Sequence, residues 1–158
     1  MTDNSTERLH LTYEEVDGFS RELARRLKPL LAGRVHKLVA VSRGGLVPAR
    51  IMADELGIWE IHCIGAHSYQ GMRSGELSIY QDMGAPSERG ELVVLVDEVV
   101  DWGRTLADLK KHLEASGYEV MTAVIMVKPH RTFEPDLWMD ETDRWIVFPW
   151  ESRESADL

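Results

Sequence analysis

The run Glu91-Leu-Val-Val-Leu-Val96 is the feature that most restricts what this chain can fold into. It is apolar on both alternating faces and rich in β-branched residues, which suits a strand covered on both sides, at the centre of a parallel sheet. Its surroundings agree. Lys37-Leu-Val-Ala-Val41 reads as a second short buried strand, and Trp59 to Ala66 alternates well enough for a third. Thr105 to Ser116 places Leu106, Leu109 and Leu113 at helical spacing and ends at Gly117. Val120 to Val127 is the next apolar run, and Pro129 stops it. Strands alternating with helices predict an α/β fold: a mostly parallel twisted sheet with right-handed crossovers and helices on its faces.

The remaining segments fit round this frame. Thr12 followed by Glu15 is a capping box, opening an amphipathic helix to about Leu30 with Val16, Phe19, Leu23, Leu27 and Leu30 on one face. Val47 to Leu56 reads as a helix closed by Gly57. From Ser68 to Arg89 the periodicity dissolves, with only Glu76 to Tyr80 plausible as strand, so 68–89 is expected to be a mobile loop or arm. Residues 130–141 read as a connection, the acidic part from Glu134 to Asp143 as a solvated face, and Trp145 to Phe148 as a short strand. Residues 1–10 and 152–158 are polar and expected to be flexible. At 158 residues the whole is expected to be a single domain.

Composition narrows the partners. A formal net charge of −9 disfavours nucleic acid and anionic membranes as partners, since both select a basic face. A phosphorylated small molecule stays open, because a few backbone N–H groups, an arginine and a divalent cation act locally against the global field. Cys63 is the one cysteine, so no intramolecular disulfide forms. No apolar run approaches the roughly 20 residues of a membrane span, and the start lacks a signal-peptide pattern. The cytoplasm is therefore the expected compartment.

In an open α/β sheet, ligands bind beyond the carboxyl ends of the strands. The polar residues of interest in this chain follow the predicted strands. Ser42-Arg43-Gly44-Gly45 follows the first; Asp97, Glu98 and Asp101 to Thr105 follow the central one. Lys128-Pro129 follows the next, and Trp145-Ile146 lies at the last. Two consecutive carboxylates at the end of a buried strand suit a ribose hydroxyl pair or a metal ion, and a loop entering a helix offers N–H groups to a phosphate. The plainer alternative makes Asp97 and Glu98 exposed strand-end charges, Thr105 an N-cap and Trp145 core. The six histidines have no ligand spacing, so no zinc site is assigned, and Trp59, Trp138 and Trp150 read as core or interface residues.

The order of apolar run, acidic pair, two apolar residues, Asp, x, Gly, x, Thr in Leu95 to Thr105 resembles the phosphoribosyl-pyrophosphate motif of type I phosphoribosyltransferases. Val41 to Pro48 resembles their pyrophosphate loop, and Ser68-Tyr69 the start of their catalytic loop. Val127-Lys-Pro129 and Arg144 to Glu151 resemble the purine-binding segments, or hood, of the xanthine-guanine and hypoxanthine members. The resemblance covers about residues 37–151. It implies a purine-salvage enzyme transferring phosphoribosyl to N9 of a 6-oxopurine, with Mg²⁺ as cofactor and a dimer or tetramer as assembly. It further implies that Asp97 and Glu98 hold the ribose hydroxyls, directly or through Mg²⁺, and that Asp101 is the general base at purine N7. Trp102, Gly103, Arg104 and Thr105 would cradle the 5′-phosphate. Ser42, Arg43, Gly44 and Gly45 would bind pyrophosphate, with a strained or cis peptide around Arg43-Gly44. Lys128 would donate to purine O6, Trp145 would stack on the base, the Ile146 carbonyl would accept from the C2 group, and Glu151 would be a metal-linked carboxylate.

Three positions depart from the family pattern. Trp102 stands where a small hydroxylic residue is usual, Glu98 where the second Asp is usual, and the loop carries Arg73 rather than a basic residue nearer Glu76. Trp102 keeps a second function class open, a ligand-sensing or regulatory protein that retains the binding loops without turnover. An enzyme of the same fold acting on a non-purine acceptor is a third.

Overall fold

A computed structural model of the protein describes residues 7–68, 77–84, 86–87 and 90–151. Eleven elements follow one another among them: β1 (Arg8–His10), α1 (Tyr13–Leu31), β2 (Val35–Val41), α2 (Leu46–Leu56), β3 (Glu60–Ser68), β4 (Leu77–Gln81), β5 (Leu92–Val100), α3 (Arg104–Ala115), β6 (Glu119–Val127), β7 (Leu137–Glu141) and β8 (Trp145–Val147).

Six strands form the main sheet in the order β4-β3-β2-β5-β6-β7, with β4 alone antiparallel to its neighbour. The expected central run is indeed central. β5 lies between β2 and β6, and Leu92 to Val96 is buried throughout. Alternate residues of the strands face opposite layers. Leu38, Ala40, Val94 and Val96 pack with Leu23, Leu27, Ala49 and Met52 from α1 and α2. Val39, Val93 and Leu95 pack with Leu106, Leu109 and Leu113 from α3. The result is three layers, helices over both faces of the sheet.

α1 starts where the capping box places it: Glu15 N donates to Thr12 Oγ1 at 3.1 Å and Thr12 N donates to Glu15 Oε2 at 2.7 Å. The buried stripe differs at its end. Leu30 is 55% exposed and Leu31 is buried instead, because the hydrophobic face advances by one residue over the last turn.

Four further differences matter for the site. β5 continues through Asp97 and Glu98 to Val100, pairing with β6 as far as Val127, so the acidic pair lies within the strand and not beyond it. Residues 137–141, read as connection, form the edge strand β7. The acids in and around it lie on an exposed face, as expected, and have partners there: Asp136 accepts from Thr122 N and Oγ1, both at 2.8 Å, and Glu134 and Glu141 bind Arg131. Residues 8–10, expected within a flexible lead segment, pair in parallel with Trp145–Val147 as a separate two-stranded sheet. Trp59 is 98% exposed, which removes it from the core.

Candidate active site

The strand order sets the place. From β2 the chain winds outward through α2 to β3, and from β5 it winds the other way through α3 to β6. The loops leaving β2 and β5 therefore diverge from adjacent strands and open a crevice between them, the position where doubly wound sheets bind ligands.

Ser42 to Gly45 forms one wall. Ser42 N is anchored to the Ile64 carbonyl at 2.8 Å and Gly45 N to the Val41 carbonyl at 2.8 Å. The peptide between Ser42 and Arg43 is cis, one bond before the expected position. Both glycines lie where the two segments approach closely, Gly44 against a side-chain end and Gly45 against backbone. A Cβ on Gly44 would fall 1.8 Å from Glu98 Oε2, and a Cβ on Gly45 would fall 2.2 Å from the Val96 carbonyl oxygen. The Glu98 carboxylate of β5 thus lies against Gly44, which brings together two segments that the sequence separates by more than fifty residues.

Asp97 stands beside it. Its Oδ1 accepts from Glu98 N at 2.9 Å, and burial, reinforced by the neighbouring Glu98 charge, pushes its carboxyl well above the ordinary value of 3.8. Such a carboxylate pair is an incomplete electrostatic arrangement that a hydroxyl pair or a hard divalent cation would complete. Glu151 lies three residues after Phe148 at the end of the described residues. Its Oε2 accepts from Phe148 N at 2.9 Å, and among the described residues no group of three His, Cys, Asp or Glu is arranged to hold a metal.

The other wall is the turn Asp101–Gly103 and the start of α3. The helix begins at Arg104 with Gly103 as its N-cap at φ 87°, so Thr105 is its second residue and not a cap. Neither α3 nor α2 has a side-chain cap, and both are entered through glycine, whereas α1, away from the crevice, is capped reciprocally. The first turn of α3 thus keeps N–H groups unclaimed by a capping side chain, as an anion site needs.

A third wall comes from beyond β6. Lys128 N donates to the Val100 carbonyl at 2.9 Å, and Lys128 Nζ donates to the Arg144 carbonyl, next to Trp145. Burial lowers the Lys128 ammonium from its ordinary 10.5, opposed by the charges of Asp101 and Asp143. Trp145 is 53% exposed, an aromatic face turned to solvent, and Ile146 beside it is buried. Ser68 ends β3, two strands from β5, and Tyr69 and Arg73 lie outside the described residues.

The phosphoribosyl transferase domain model matches residues 7–155. The chain belongs to the phosphoribosyltransferase family. The enzyme is thus a glycosyltransferase of the pentosyl-transferring kind. It is 34% identical to xanthine-guanine phosphoribosyltransferase of Idiomarina loihiensis over 151 residues, covering 94% of this chain and 89% of that one. Among solved structures it is similar to the purine phosphoribosyltransferase of Pyrococcus horikoshii, with 30% identity, TM-score 0.80 and coverage of 90% and 93%. It is also similar to the xanthine-guanine-hypoxanthine phosphoribosyltransferase of Helicobacter pylori, with 25% identity, TM-score 0.82 and coverage of 95% and 97%.

One residue at this phosphoribosyltransferase's site escaped the sequence reading. His130 was set aside with the other histidines for want of ligand spacing, yet its Nε2 bonds Asp101 Oδ1 and its ring lies 4.5 Å from that of Trp102. The usable signal was topological: it stands two residues after Lys128, beyond the carboxyl end of a strand beside the central one.

Proposed function

We propose that this phosphoribosyltransferase transfers the 5-phosphoribosyl group of phosphoribosyl pyrophosphate to N9 of a 6-oxopurine, guanine, xanthine or hypoxanthine, releasing pyrophosphate. The observation that carries the reading is the convergence at one crevice of the Gly44–Glu98 contact, the uncapped start of α3, and Lys128 beside Trp145. The first provides for the ribose and leaving group, the second for the 5′-phosphate and the third for the base.

The chemistry follows from charge. As N9 approaches C1′, the bond to pyrophosphate breaks and positive charge develops on the ribose ring. Asp97 and Glu98 hold negative charge beneath that ring, and Asp101 accepts the N7 proton. Arg43 and the Gly44 amide steady the departing pyrophosphate. The N–H groups of residues 102–105, with the Thr105 hydroxyl, fix the 5′-phosphate; Lys128 donates to O6 and Trp145 covers the base. Asp97 and Glu98 also offer the hard oxygen donors that Mg²⁺ prefers, and the cation would supply charge neutralisation for the leaving group.

The decisive experiment is one panel with phosphoribosyl pyrophosphate, Mg²⁺ and guanine, xanthine, hypoxanthine, adenine, uracil or orotate, read by pyrophosphate release. Turnover confined to the 6-oxopurines is the expected result. Nucleotide binding by calorimetry with no release from any base would overturn the enzyme reading in favour of a ligand sensor.

A further inference from the structure

The segment after β6 is bound along the turn that carries Asp101. Thr132 donates to the Trp102 carbonyl twice, from N at 2.9 Å and from Oγ1 at 3.0 Å. Gly103 lies so close to Phe133 that an added Cβ would stand 2.6 Å from the Phe133 Cβ. Arg131 ties the segment down from behind, its Nη1 on the Lys128 carbonyl at 2.9 Å and its guanidinium over the Trp138 ring at 5.1 Å. Within this frame His130 meets Asp101 and Trp102 together.

We propose that His130 is a positioning residue for Asp101, holding the carboxylate so that its second oxygen meets the purine proton; this rests on the phosphoribosyl-transfer reading above. An ionised carboxylate only accepts hydrogen bonds, so Nε2 must carry the proton in the His130–Asp101 bond. That bond occupies Oδ1 and leaves Oδ2 for the substrate. The Trp102 indole, against the imidazole at a 47° tilt, restricts the ring's rotation. Trp102 then has a role that a small hydroxylic residue could not fill: it backs the histidine. The exposed pair contributes little to stability, since a hydrogen bond open to water adds little net free energy. Its effect is on orientation, to which a proton transfer within hydrogen-bond reach is sensitive.

Three variants separate the roles. His130→Phe keeps a ring for Trp102 but removes the donor, His130→Gln restores a donor at the Nε2 position, and Asp101→Asn removes the group being positioned. With a 6-oxopurine and phosphoribosyl pyrophosphate, His130→Phe should lower kcat by about ten- to a hundred-fold, as misplacement of a reacting group does. The KM for phosphoribosyl pyrophosphate should change little, and His130→Gln should recover most of the loss. In the Asp101→Asn background, His130→Phe should have no further effect. Wild-type kcat in His130→Phe, no rescue by Gln, or an equal loss in the Asp101→Asn background would each overturn the proposal. Imidazole ¹⁵N shifts give a reading independent of turnover: His130 should be the Nε2–H form in wild type and shift in Asp101→Asn. A wild-type chain inactive on every base, with that signature intact, would refute the transfer reading; an active one lacking it would refute the role of His130.

Discussion

Gly45→Ala gives a test of how tightly the crevice is built. Gly45 has φ −73° and ψ −10°, a conformation alanine adopts freely, so the substitution carries no backbone strain of its own. Its cost is contact. The new Cβ would stand 2.2 Å from the Val96 carbonyl oxygen, 2.8 Å from the Val41 carbonyl oxygen and 2.9 Å from Val41 N. Ordinary contact begins near 3.4 Å, so the Val96 carbonyl must yield 3.4 − 2.2 = 1.2 Å. All three atoms are backbone of the paired strands β2 and β5, which cannot rotate aside. Overpacking of this kind costs about 3 kcal/mol at the upper end of its usual range. The lost flexibility of the unfolded chain returns about 0.4–1 kcal/mol. A net loss of about 2 kcal/mol is expected, or a Tm lower by about 4–8 °C in a domain of this size. Urea unfolding should show a lower midpoint at unchanged slope. Gly44→Ala is the control. The three atoms nearest its Cβ all belong to the Glu98 carboxylate, the far end of a flexible side chain that swings away. It should lose turnover with a stability change of under about 1 kcal/mol, the smaller of the two effects. A Gly45→Ala protein within about 0.5 kcal/mol of wild type, the usual scatter of surface substitutions, would refute this account of the β2–β5 crevice.

Asp97→Asn should stabilise the ligand-free protein while removing activity. Because the folded carboxyl titrates above 3.8, ionising it opposes folding, so stability falls as pH rises from 3.8 to the folded value and is flat beyond. The variant should lack that slope and gain about 0.5–2 kcal/mol at pH 7, read by thermal unfolding across pH; a destabilised variant would show that Asp97 is held by contacts other than Glu98. Lys128→Met should raise the purine KM by about ten- to a hundred-fold, the worth of one charged hydrogen bond, with phosphoribosyl pyrophosphate binding unchanged. In the wild type the purine KM should rise with pH starting below 10.5, since burial favours the neutral amine; a KM flat up to 10.5 would exclude Lys128 as the charged donor.

Most of the frame was legible in the sequence because its signals are local. The Glu91–Val96 run, the Thr12–Glu15 box and Gly57 each act within a few residues, and the structure has a strand, a helix start and a helix end at those places. Trp145 was legible only through family pattern, since an aromatic in an apolar run reads more readily as core, and it is 53% exposed. β7 was missed because Leu-Trp-Met-Asp-Glu has neither alternation nor β-branching, and it is a strand by virtue of pairing with β6. β1 is three residues long and exists through partners 137 positions away in the register Arg8↔Trp145. The end of β5 was misjudged because Asp97-Glu98 looks like a strand terminus until the register with β6 carries it to Val100. His130 illustrates the limit at the site, as no spacing rule links it to Asp101 29 residues earlier.

The pairing of β1 with β8 has a consequence for how the base site opens. The two strands are three residues each and form a sheet of their own, outside the six-stranded one. Two-stranded sheets are marginal in water, so this pair depends on the cluster in which Leu11, Val16, Ile146 and Phe148 pack on Ile125 and Met126 of β6. Trp145 therefore sits on a unit that can lift from the face of β6 while the pairing of β2, β5 and β6 stays closed, a sub-global opening rather than unfolding. In hydrogen exchange the Trp145 and Leu11 amides, bonded to the Glu7 and Val147 carbonyls, should exchange far sooner than those of Val93 to Val96. The base cover would then open before the phosphate crevice, and the grip on the purine would be tuned by changes near the amino terminus through the cluster it shares with Ile125 and Met126 of β6.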